Sequence, residues 1–307
     1  EGLTEADGVR VVKCAKPADA IGSQVWLFRR GMVTRAMMES NPSLALVQRW
    51  GERSEVIDCD AAAGRGVWVS CLPRPMLHFV AEHVILLSLA LLKKLLVADR
   101  VVRTPSPDES TAPVGQNRYN WPGIPGVDGL YGKTLGIVGM GEIGYLVAQK
   151  ARALGTRVLY VNRNRLPEAQ ERAVGAEFCP LDDLLRASDI VSLHATFKPG
   201  SEILMTREKI ERMKPGALLI NTGRGQLVDE DALHDALISG RLGGAGLDVH
   251  LREPRPPGDR LLAIDNVVLT PHFAGGSRLA TEDELIGVLG NIRRAFEGKP
   301  PAVGRVV

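Results

Sequence analysis

The sequence predicts an α/β protein whose larger domain is a doubly wound parallel sheet, because short apolar runs alternate with helical patterns along its second half. Each run is continuously apolar, as expected for strands buried on both faces of a parallel sheet. The 307 residues also suffice for a second, smaller domain. The predicted strands of the larger sheet are Leu135–Gly139, Arg157–Val161, Asp189–Leu193, Ala217–Ile220, Ala245–Val249 and Val267–Thr270.

Earlier apolar runs predict the strands of the smaller domain, at Val9–Cys14, Val25–Phe28, Leu44–Arg49 and Val67–Cys71. The polar stretch 99–132, rich in Pro and Gly, is too long for an ordinary connection and is typical of an arm or an interdomain link. A last helical pattern begins near Leu279 and ends at Gly298.

These breaks predict a larger domain at 100–279, inserted into a smaller domain formed by 1–99 and 280–307. One stretch, Phe79–Val97, is apolar enough to suggest a membrane segment. Its uncharged core is much shorter than the roughly 20 residues that a membrane span needs. We therefore expect a long helix buried between domains or subunits, and no membrane partner.

The composition is ordinary for a globular protein, with 45% apolar and 24% charged residues. A net charge of +2, with cations scattered among acids, gives no indication of a nucleic-acid partner. The four cysteines form no C-x-x-C pair and the histidines no metal-binding spacing, so we expect reduced thiols and no metal site. No secretory signal is visible, which makes the cytoplasm the expected location.

A glycine-rich motif, Gly139-Met140-Gly141-Glu142-Ile143-Gly144, joins the first strand of the larger sheet to a helical pattern. The first glycine permits a tight turn, the second lets the backbone approach a pyrophosphate, and the third allows close packing of helix on strand. Such a motif alone is weak, but the strand before it and the helix after it predict a dinucleotide-binding domain.

The second strand is followed by Asn162-Arg163-Asn164-Arg165, where an NAD-preferring site usually offers a carboxylate to the ribose hydroxyls. Asn162, Arg163 and Arg165 could instead bind the 2′-phosphate of NADP. The alternative is a basic, solvated loop without a ligand. We expect NADP as the cofactor, with NAD possible.

Three side chains of complementary chemistry follow three successive strands: Arg224, Glu253 and His272. Ligands of open α/β sheets bind beyond the carboxyl ends of the strands, so a cation, a carboxylate and an imidazole are expected to converge there. The structural alternatives are an ion pair between Arg224 and Glu253 and a loop position for His272.

Several motifs in order, from about Pro42 to Pro301, resemble the D-isomer-specific 2-hydroxyacid dehydrogenase family. NTGRG matches the segment with the family's substrate-binding arginine, LREP the segment with its glutamate, and TPHFAG the segment with its catalytic histidine. The resemblance therefore implies those roles for Arg224, Glu253 and His272, and contact with the nicotinamide carboxamide for Asp248 in GLDV.

The resemblance also implies a flavodoxin-like substrate domain, a Rossmann cofactor domain and a homodimer. We further assign His194, Ala195, Thr222 and Gly223 to the cofactor site, although packing is an equal alternative for His194. Members of the family usually open with a strand and helix before the segment matching Val9–Cys14. Either about one such unit precedes the given sequence, or the small domain is genuinely reduced.

The loop that holds the substrate carboxylate in the family contains G-x-G, whereas this chain has Trp50-Gly51-Glu52-Arg53. Gly51 and Arg53 are our candidates for substrate binding, and the charge of Arg53 could bind an extra anionic group of a larger substrate. The alternative is a solvated arginine on an altered loop. Leu72-Pro73-Arg74-Pro75 likewise replaces a more usual small-residue turn.

The expected function is NADPH-dependent reduction of a small 2-keto acid, with glyoxylate or hydroxypyruvate favoured, to the D-2-hydroxy acid. This chemistry needs a proton donor, a cation that holds the carboxylate, and a fixed hydride donor. His272, kept protonated by Glu253, and Arg224 satisfy the first two requirements. The alternative is a cofactor-sensing binding protein of the same fold without significant turnover.

Overall fold

The computed structural model describes residues 4–6, 9–12, 14, 17–29, 31–104, 119–198, 200–276 and 279–307. The chain divides into two units: Glu1–Pro75 with Ser277–Val307, and Met76–Gly276. We call them the small unit and the large unit.

The small unit contains two separate sheets. Its first elements are β1 (Thr4–Ala6), β2 (Val9–Val11), β3 (Val25–Phe28), α1 (Arg35–Glu39), β4 (Leu46–Trp50), α2 (Cys59–Gly64) and β5 (Trp68–Leu72). Strands β3, β4 and β5 form a parallel sheet in that order. Three of the four strands predicted for this domain are therefore members of one sheet.

The fourth predicted strand, Val9–Cys14, is only partly correct. Strand β2 pairs antiparallel with β1 and does not join the three-stranded sheet. The dipeptide between the two strands in sequence is Asp7-Gly8, a strong hairpin signal that the prediction overlooked.

The large unit is built on one seven-stranded sheet. Its elements are α3 (Pro75–Leu92), α4 (Leu95–Arg103), β6 (Thr134–Val138), α5 (Glu142–Ala153), β7 (Arg157–Val161), α6 (Glu168–Val174), β8 (Ala176–Phe178), α7 (Leu181–Ala187), β9 (Ile190–Leu193), α8 (Arg207–Arg212), β10 (Leu218–Asn221), α9 (Glu230–Ile238), β11 (Gly244–Leu247) and β12 (Val267–Leu269). The strand order is β12-β11-β10-β9-β6-β7-β8, and every pairing is parallel. This confirms the predicted Rossmann fold, whose order reverses between β6 and β9 and opens a crevice at the carboxyl ends of those strands.

Helix α3 belongs to the core of the large unit. Leu87 of α3 packs so closely on β11 that a side chain at Gly246 would overlap it. By length and composition α3 is the one helix of the described chain that could cross a membrane, but this packing is that of a core helix. The first boundary between the units consequently falls at 75/76, and the predicted boundary at 99/100 is too late.

The long helix predicted at Phe79–Val97 is in fact two helices. Lys94 adopts a left-handed conformation with φ of 53° in the turn between the end of α3 at Leu92 and the start of α4 at Leu95. The backbone N–H of Asp128 caps the carbonyl of Leu92 at 2.9 Å and so satisfies an orphan group at the break.

The closing helix, α10 (Leu279–Phe296), follows the predicted pattern and belongs to the small unit. Its buried Asn291 donates to Gln48 Oε1 on β4 at 2.9 Å and to Ser70 Oγ on β5 at 3.0 Å. These bonds attach the last helix to the three-stranded sheet.

Candidate functional site

The glycine motif forms the turn that its sequence predicts. Gly139 has φ of 103°, and an added Cβ would lie 2.8 Å from the backbone of His194 and Ala195. Gly141 is the N-cap of α5, with nothing within 4 Å of where a Cβ would stand. A Cβ on Gly144 would overlap the carbonyl oxygen of Gly139. The turn thus leaves open space at a helix N-terminus, which suits a pyrophosphate.

The other residues of the motif lie around this turn. The side chain of Met140 is 2% exposed, so only its backbone can meet a cofactor. Glu142 and Ile143 occupy the first turn of α5, and Ile143 packs against the core.

In the loop after β7, one predicted cofactor residue is bound within the protein. Arg165 donates Nε and Nη2 to the two carboxylate oxygens of Glu171 on α6, each at 2.9 Å, and its guanidinium lies over Phe178. The hydroxyl of Tyr160 donates to the same carboxylate at 2.6 Å. A carboxylate therefore already balances the charge of Arg165, whose predicted contact with a 2′-phosphate stays a prediction.

Asn162 and Arg163 differ from Arg165 in this respect. Neither makes a hydrogen bond or ion pair within the described part of the chain, and Arg163 is exposed. These two residues therefore keep the polar groups that a ribose phosphate would need.

Electrostatics explain why the Arg165 pair is firmly ionised. The hydrogen bonds from Arg165 and Tyr160 lower the pKa of Glu171 to about 2, against the opposing effect of burial. Burial, followed by the bond to Glu171, raises the pKa of Tyr160 to about 12. Tyr160 accepts in turn from the backbone N–H of Leu166 at 2.9 Å, which fixes the loop.

Arg224 lies in the loop after β10, as the sequence predicts. Asn221 holds this loop, since its amide donates to the Arg224 carbonyl at 2.8 Å and its oxygen accepts from the Gly223 N–H at 3.0 Å. The Arg224 side chain is exposed and donates to the Gly223 carbonyl at 2.6 Å. Gly225 touches the backbone of His250 so closely that an added Cβ would overlap it.

Glu253 and His272 form the predicted pair. Nδ1 of His272 lies 2.8 Å from Oε2 of Glu253, while Oε1 of Glu253 accepts from the backbone N–H of His250 at 3.0 Å. Burial acts to raise the pKa of Glu253, but the hydrogen bonds from His272 and His250 outweigh it and lower that pKa. The glutamate is therefore an anion at neutral pH, and the structural alternative of an Arg224–Glu253 ion pair is not what the described residues show.

His272 itself has an unusual backbone. Its φ of 54° lies in the left-handed region, which costs a non-glycine residue about 1–3 kcal/mol. Asp248 holds the residues after it, because Oδ1 accepts from Phe273 N at 3.1 Å and Oδ2 from Ala274 N at 3.0 Å. The hydroxyl of Thr270, before it, donates to Asp248 Oδ1 at 2.7 Å.

Asp248 thus has a part that the sequence did not indicate. Its side chain is 1% exposed, and both oxygens already accept from the histidine loop. The predicted contact with a nicotinamide carboxamide stays a prediction, but positioning of His272 is the role that these bonds support.

Two histidines that were not among the predicted site residues also hold this loop. His83 of α3 lies 2.9 Å from Thr270 Oγ1 and packs edge-on against Phe273. His250 lies 2.8 Å from the Thr270 carbonyl through Nε2. No sequence signal marked them, because their partners are about 20 or more residues away along the chain.

The remaining cofactor candidates lie at the ends of β9 and β10. Burial lowers the pKa of His194 to about 4, so its imidazole is neutral, and Nε2 lies 2.8 Å from Ser192 Oγ. Ala195 follows it, with its N–H against Gly139. Oγ1 of Thr222 is buried and has no hydrogen-bond partner among the described residues, and Gly223 follows it. An orphaned hydroxyl at the carboxyl edge of the sheet that also carries the open glycine turn fits a bound dinucleotide.

Gly51 and Arg53 lie in the small unit, at the carboxyl end of β4. Gly51 is buried, and Arg53 donates Nε to Glu55 at 2.6 Å with 18% of its side chain exposed. Part of the Arg53 charge is therefore balanced within its own loop. The described residues contain no group of three His, Cys, Asp or Glu side chains that could hold a metal ion.

Comparison with known proteins agrees with this geometry. Residues 91–274 match the model of the D-isomer specific 2-hydroxyacid dehydrogenase, NAD binding domain. The chain is 36% identical over 267 residues to the glyoxylate reductase of Korarchaeum cryptofilum, covering 87% of this chain and 76% of that one.

Solved structures show the same relationship. A glyoxylate reductase from Paecilomyes thermophila superposes with a TM-score of 0.60 at 32% identity, over 90% of this chain and 79% of that one. An acyclic imino acid reductase in complex with NADPH and D-Arg gives 0.59 at 30% identity, over 92% and 85%. With its Rossmann domain and a His272–Glu253 pair at the carboxyl edge of the sheet, the chain belongs to the D-isomer specific 2-hydroxyacid dehydrogenase family.

Proposed function

We propose that this dehydrogenase reduces a small 2-keto acid, with glyoxylate or hydroxypyruvate favoured, to the D-2-hydroxy acid at the expense of NADPH. The observation that carries the proposal is the contact of 2.8 Å between His272 Nδ1 and Glu253 Oε2. It leaves Nε2 as the nitrogen that can give a proton to substrate, on an imidazole that is 46% exposed.

The chain's own residues supply the polar steps of the reaction. Glu253, an anion at neutral pH, stabilises the protonated imidazole and fixes its ring, so that Nε2–H can protonate the developing alkoxide. Arg224 has N–H groups beyond the one that binds Gly223, and its planar fork suits a carboxylate and the adjacent carbonyl oxygen. A bound nicotinamide supplies the hydride.

A dinucleotide fits the residues that would hold it. The turn at Gly139, Gly141 and Gly144 would take the pyrophosphate, and Thr222 Oγ1 offers an unused polar atom. The preference for NADPH rests on Asn162 and Arg163, the polar side chains at the end of β7 for which the described residues provide no partner. The related imino acid reductase bound to NADPH is consistent with this choice.

Initial rates of coenzyme oxidation test the proposal. We expect NADPH oxidation with glyoxylate, hydroxypyruvate or both to exceed that with pyruvate, phenylpyruvate and 2-ketogluconate, and a preference for NADPH over NADH of about 10- to 1000-fold in kcat/KM. The double variant Asn162→Asp with Arg163→Ala should reverse the preference, since a carboxylate accepts from ribose hydroxyls and repels phosphate. Nucleotide binding without turnover of any keto acid would instead favour a cofactor-sensing protein.

Glu253 provides a second test of the same mechanism. Glu253→Gln should lower kcat for reduction, because a neutral amide no longer stabilises and orients the imidazole that gives the proton. A wild-type rate would remove Glu253 from the mechanism.

The substrate loop and the assembly complete the proposal. Gly51 and Arg53 help to hold the substrate, so Arg53→Gly should weaken kcat/KM more for substrates with a second anionic or polyhydroxy end than for glyoxylate. The protein acts as a homodimer in the cytoplasm without nucleic acid or membrane. Exposed aromatic side chains at Tyr119, Trp121 and Tyr131 support a subunit contact, which light scattering after gel filtration would test.

A further inference from the structure

A buried arginine, Arg255, follows the glutamate of the proposed catalytic pair by two residues in the sequence. The side chain of Arg255 is only 8% exposed, and its guanidinium has three different acceptors. Nη2 donates to Glu230 on α9 at 2.6 Å, Nη1 to Asp259 at 2.5 Å, and Nε to Nδ1 of His250 at 2.8 Å. The two carboxylates already balance the charge of the guanidinium. Charge balance therefore does not account for the third hydrogen bond, from Nε to His250.

That third bond fixes the tautomer of His250. A guanidinium can only donate, so Nδ1 of His250 must be an unprotonated acceptor and the ring proton must be on Nε2. Nε2 then donates to the Thr270 carbonyl at 2.8 Å. With the proton on Nδ1 instead, the Nδ1–H of His250 would point at the Nε–H of Arg255, and Nε2 could no longer donate to the Thr270 carbonyl.

His250 joins both halves of the pair that carries the proposed function. Its backbone N–H donates to Glu253 Oε1, and its ring holds Thr270, two residues before His272. A displacement of the ring would therefore move the glutamate and the histidine relative to one another. Misplacement by about 1 Å can cost on the order of 100-fold in rate.

We propose that Arg255 is a positioning residue that acts through His250 to set the geometry of Glu253 and His272. The inference rests on the proposed keto-acid reduction, but the hydrogen bond between Glu253 and His272 can also be observed without turnover.

The main test replaces Arg255 and a matched arginine. Arg260 makes the same kind of ion pair with the same helix, through Asp231, but both side chains are exposed. We expect Arg255→Met to lower kcat for the best keto acid by about 10- to 100-fold, with KM for keto acid and NADPH changed by less than about threefold. Arg260→Met should leave both constants unchanged. Equal effects of the two variants on kcat would overturn the proposal.

Variants at His250 separate positioning from simple loss of packing. Glutamine offers one acceptor and one donor, so His250→Gln can accept from Arg255 and donate to Thr270, whereas His250→Phe can do neither. We expect His250→Gln to retain most of kcat and His250→Phe to fall as far as Arg255→Met. An equal loss of kcat in the two His250 variants would overturn the proposal. This comparison does not depend on whether Arg255→Met folds.

Nitrogen-15 NMR of the histidine rings provides a readout independent of turnover. The wild type and Arg260→Met should show His250 protonated on Nε2 and a His272 Nδ1–H signal, assigned from its loss in His272→Ala. Arg255→Met should weaken or shift the His272 signal. An unchanged signal contradicts the inference alone, whereas absence of turnover in the wild type contradicts the proposed function alone.

Discussion

Two loops at the carboxyl edge of the seven-stranded sheet hold their candidate functional residue in different ways. In the histidine loop, Thr270–Ala274, backbone amides and a hydroxyl are bound by the buried Asp248, and the backbone of His272 is held in a left-handed conformation. In residues 162–166, the loop proposed to meet the ribose of the coenzyme and called the ribose loop below, Arg165 is bound by Glu171 but Arg163 is exposed.

The difference fits what each loop would do in the proposed reaction. Proton transfer requires heavy atoms within about 2.6–3.2 Å, so the donor must be placed by groups that cannot move independently. Recognition of a phosphate by a long, flexible cation tolerates looser placement and works through charge. The histidine loop should therefore respond to small changes in packing, and the ribose loop chiefly to changes in charge.

The largest effect is expected at the histidine itself. His272→Ala should lower kcat for keto-acid reduction by roughly 100-fold or more, the size typical of a general acid. His234→Ala is a suitable control, because His234 lies on α9 beside Asp235 and outside the site. Steady-state rates with an unchanged melting temperature would confirm the role, and a wild-type rate would exclude it.

A smaller effect is expected from crowding the backbone below this loop. Gly225→Ala would drive a Cβ into the His250 carbonyl, and overpacking of this kind costs about 1–3 kcal/mol of unfolding free energy. Gly290→Ala on α10 has open space around its Cβ and should be neutral or stabilising. Denaturant unfolding measures the unfolding free energy of both variants. Equal stability of the two would show that the loops around Gly225 and His250 accommodate the added Cβ without loss of stability.

In the ribose loop, two neighbouring arginines give an internal comparison. Arg163→Ala should lower kcat/KM for NADPH relative to NADH by about 10-fold, the value of one charge-assisted hydrogen bond. Arg165→Ala should change this ratio much less, since its guanidinium is already bound to Glu171. A larger effect of Arg165→Ala on this ratio would show that Arg165 contacts the phosphate in spite of its ion pair with Glu171.

The smallest expected effect is the pH dependence of the Glu171 pair. Because the folded protein holds the pKa of Glu171 near 2, below its ordinary 4.5, the stability it contributes is present above about pH 4.5 and disappears as pH falls toward 2. The difference in melting temperature between wild type and Glu171→Gln should shrink over that range. A difference in melting temperature that does not change with pH would contradict the lowered pKa of Glu171.

The sequence predicted most of the large sheet because each strand is a continuous apolar run. It missed β8, Ala176–Phe178, which has only three residues and carries Glu177 in its middle. It also missed the break at Lys94, because a left-handed lysine has no sequence signal of its own.

The candidate site divides in the same way. Arg224, Glu253 and His272 were predictable because each belongs to a motif that encodes a loop after a strand. The partner of Arg165 was not, because Glu171 lies on the following helix and only the folded turn brings the two together. Composition counts cations but does not show which carboxylates they meet.

The close approach of Gly225 to His250 has an evolutionary consequence. Because their backbones are in direct contact, the loop of Arg224 and the loop that leads to Glu253 cannot change conformation independently. New substrate preferences would then arise more easily in loops where substitutions cost little stability. We expect the diversity among relatives to concentrate in loops such as the one at Arg53, whose charge is balanced by a neighbour within the same loop.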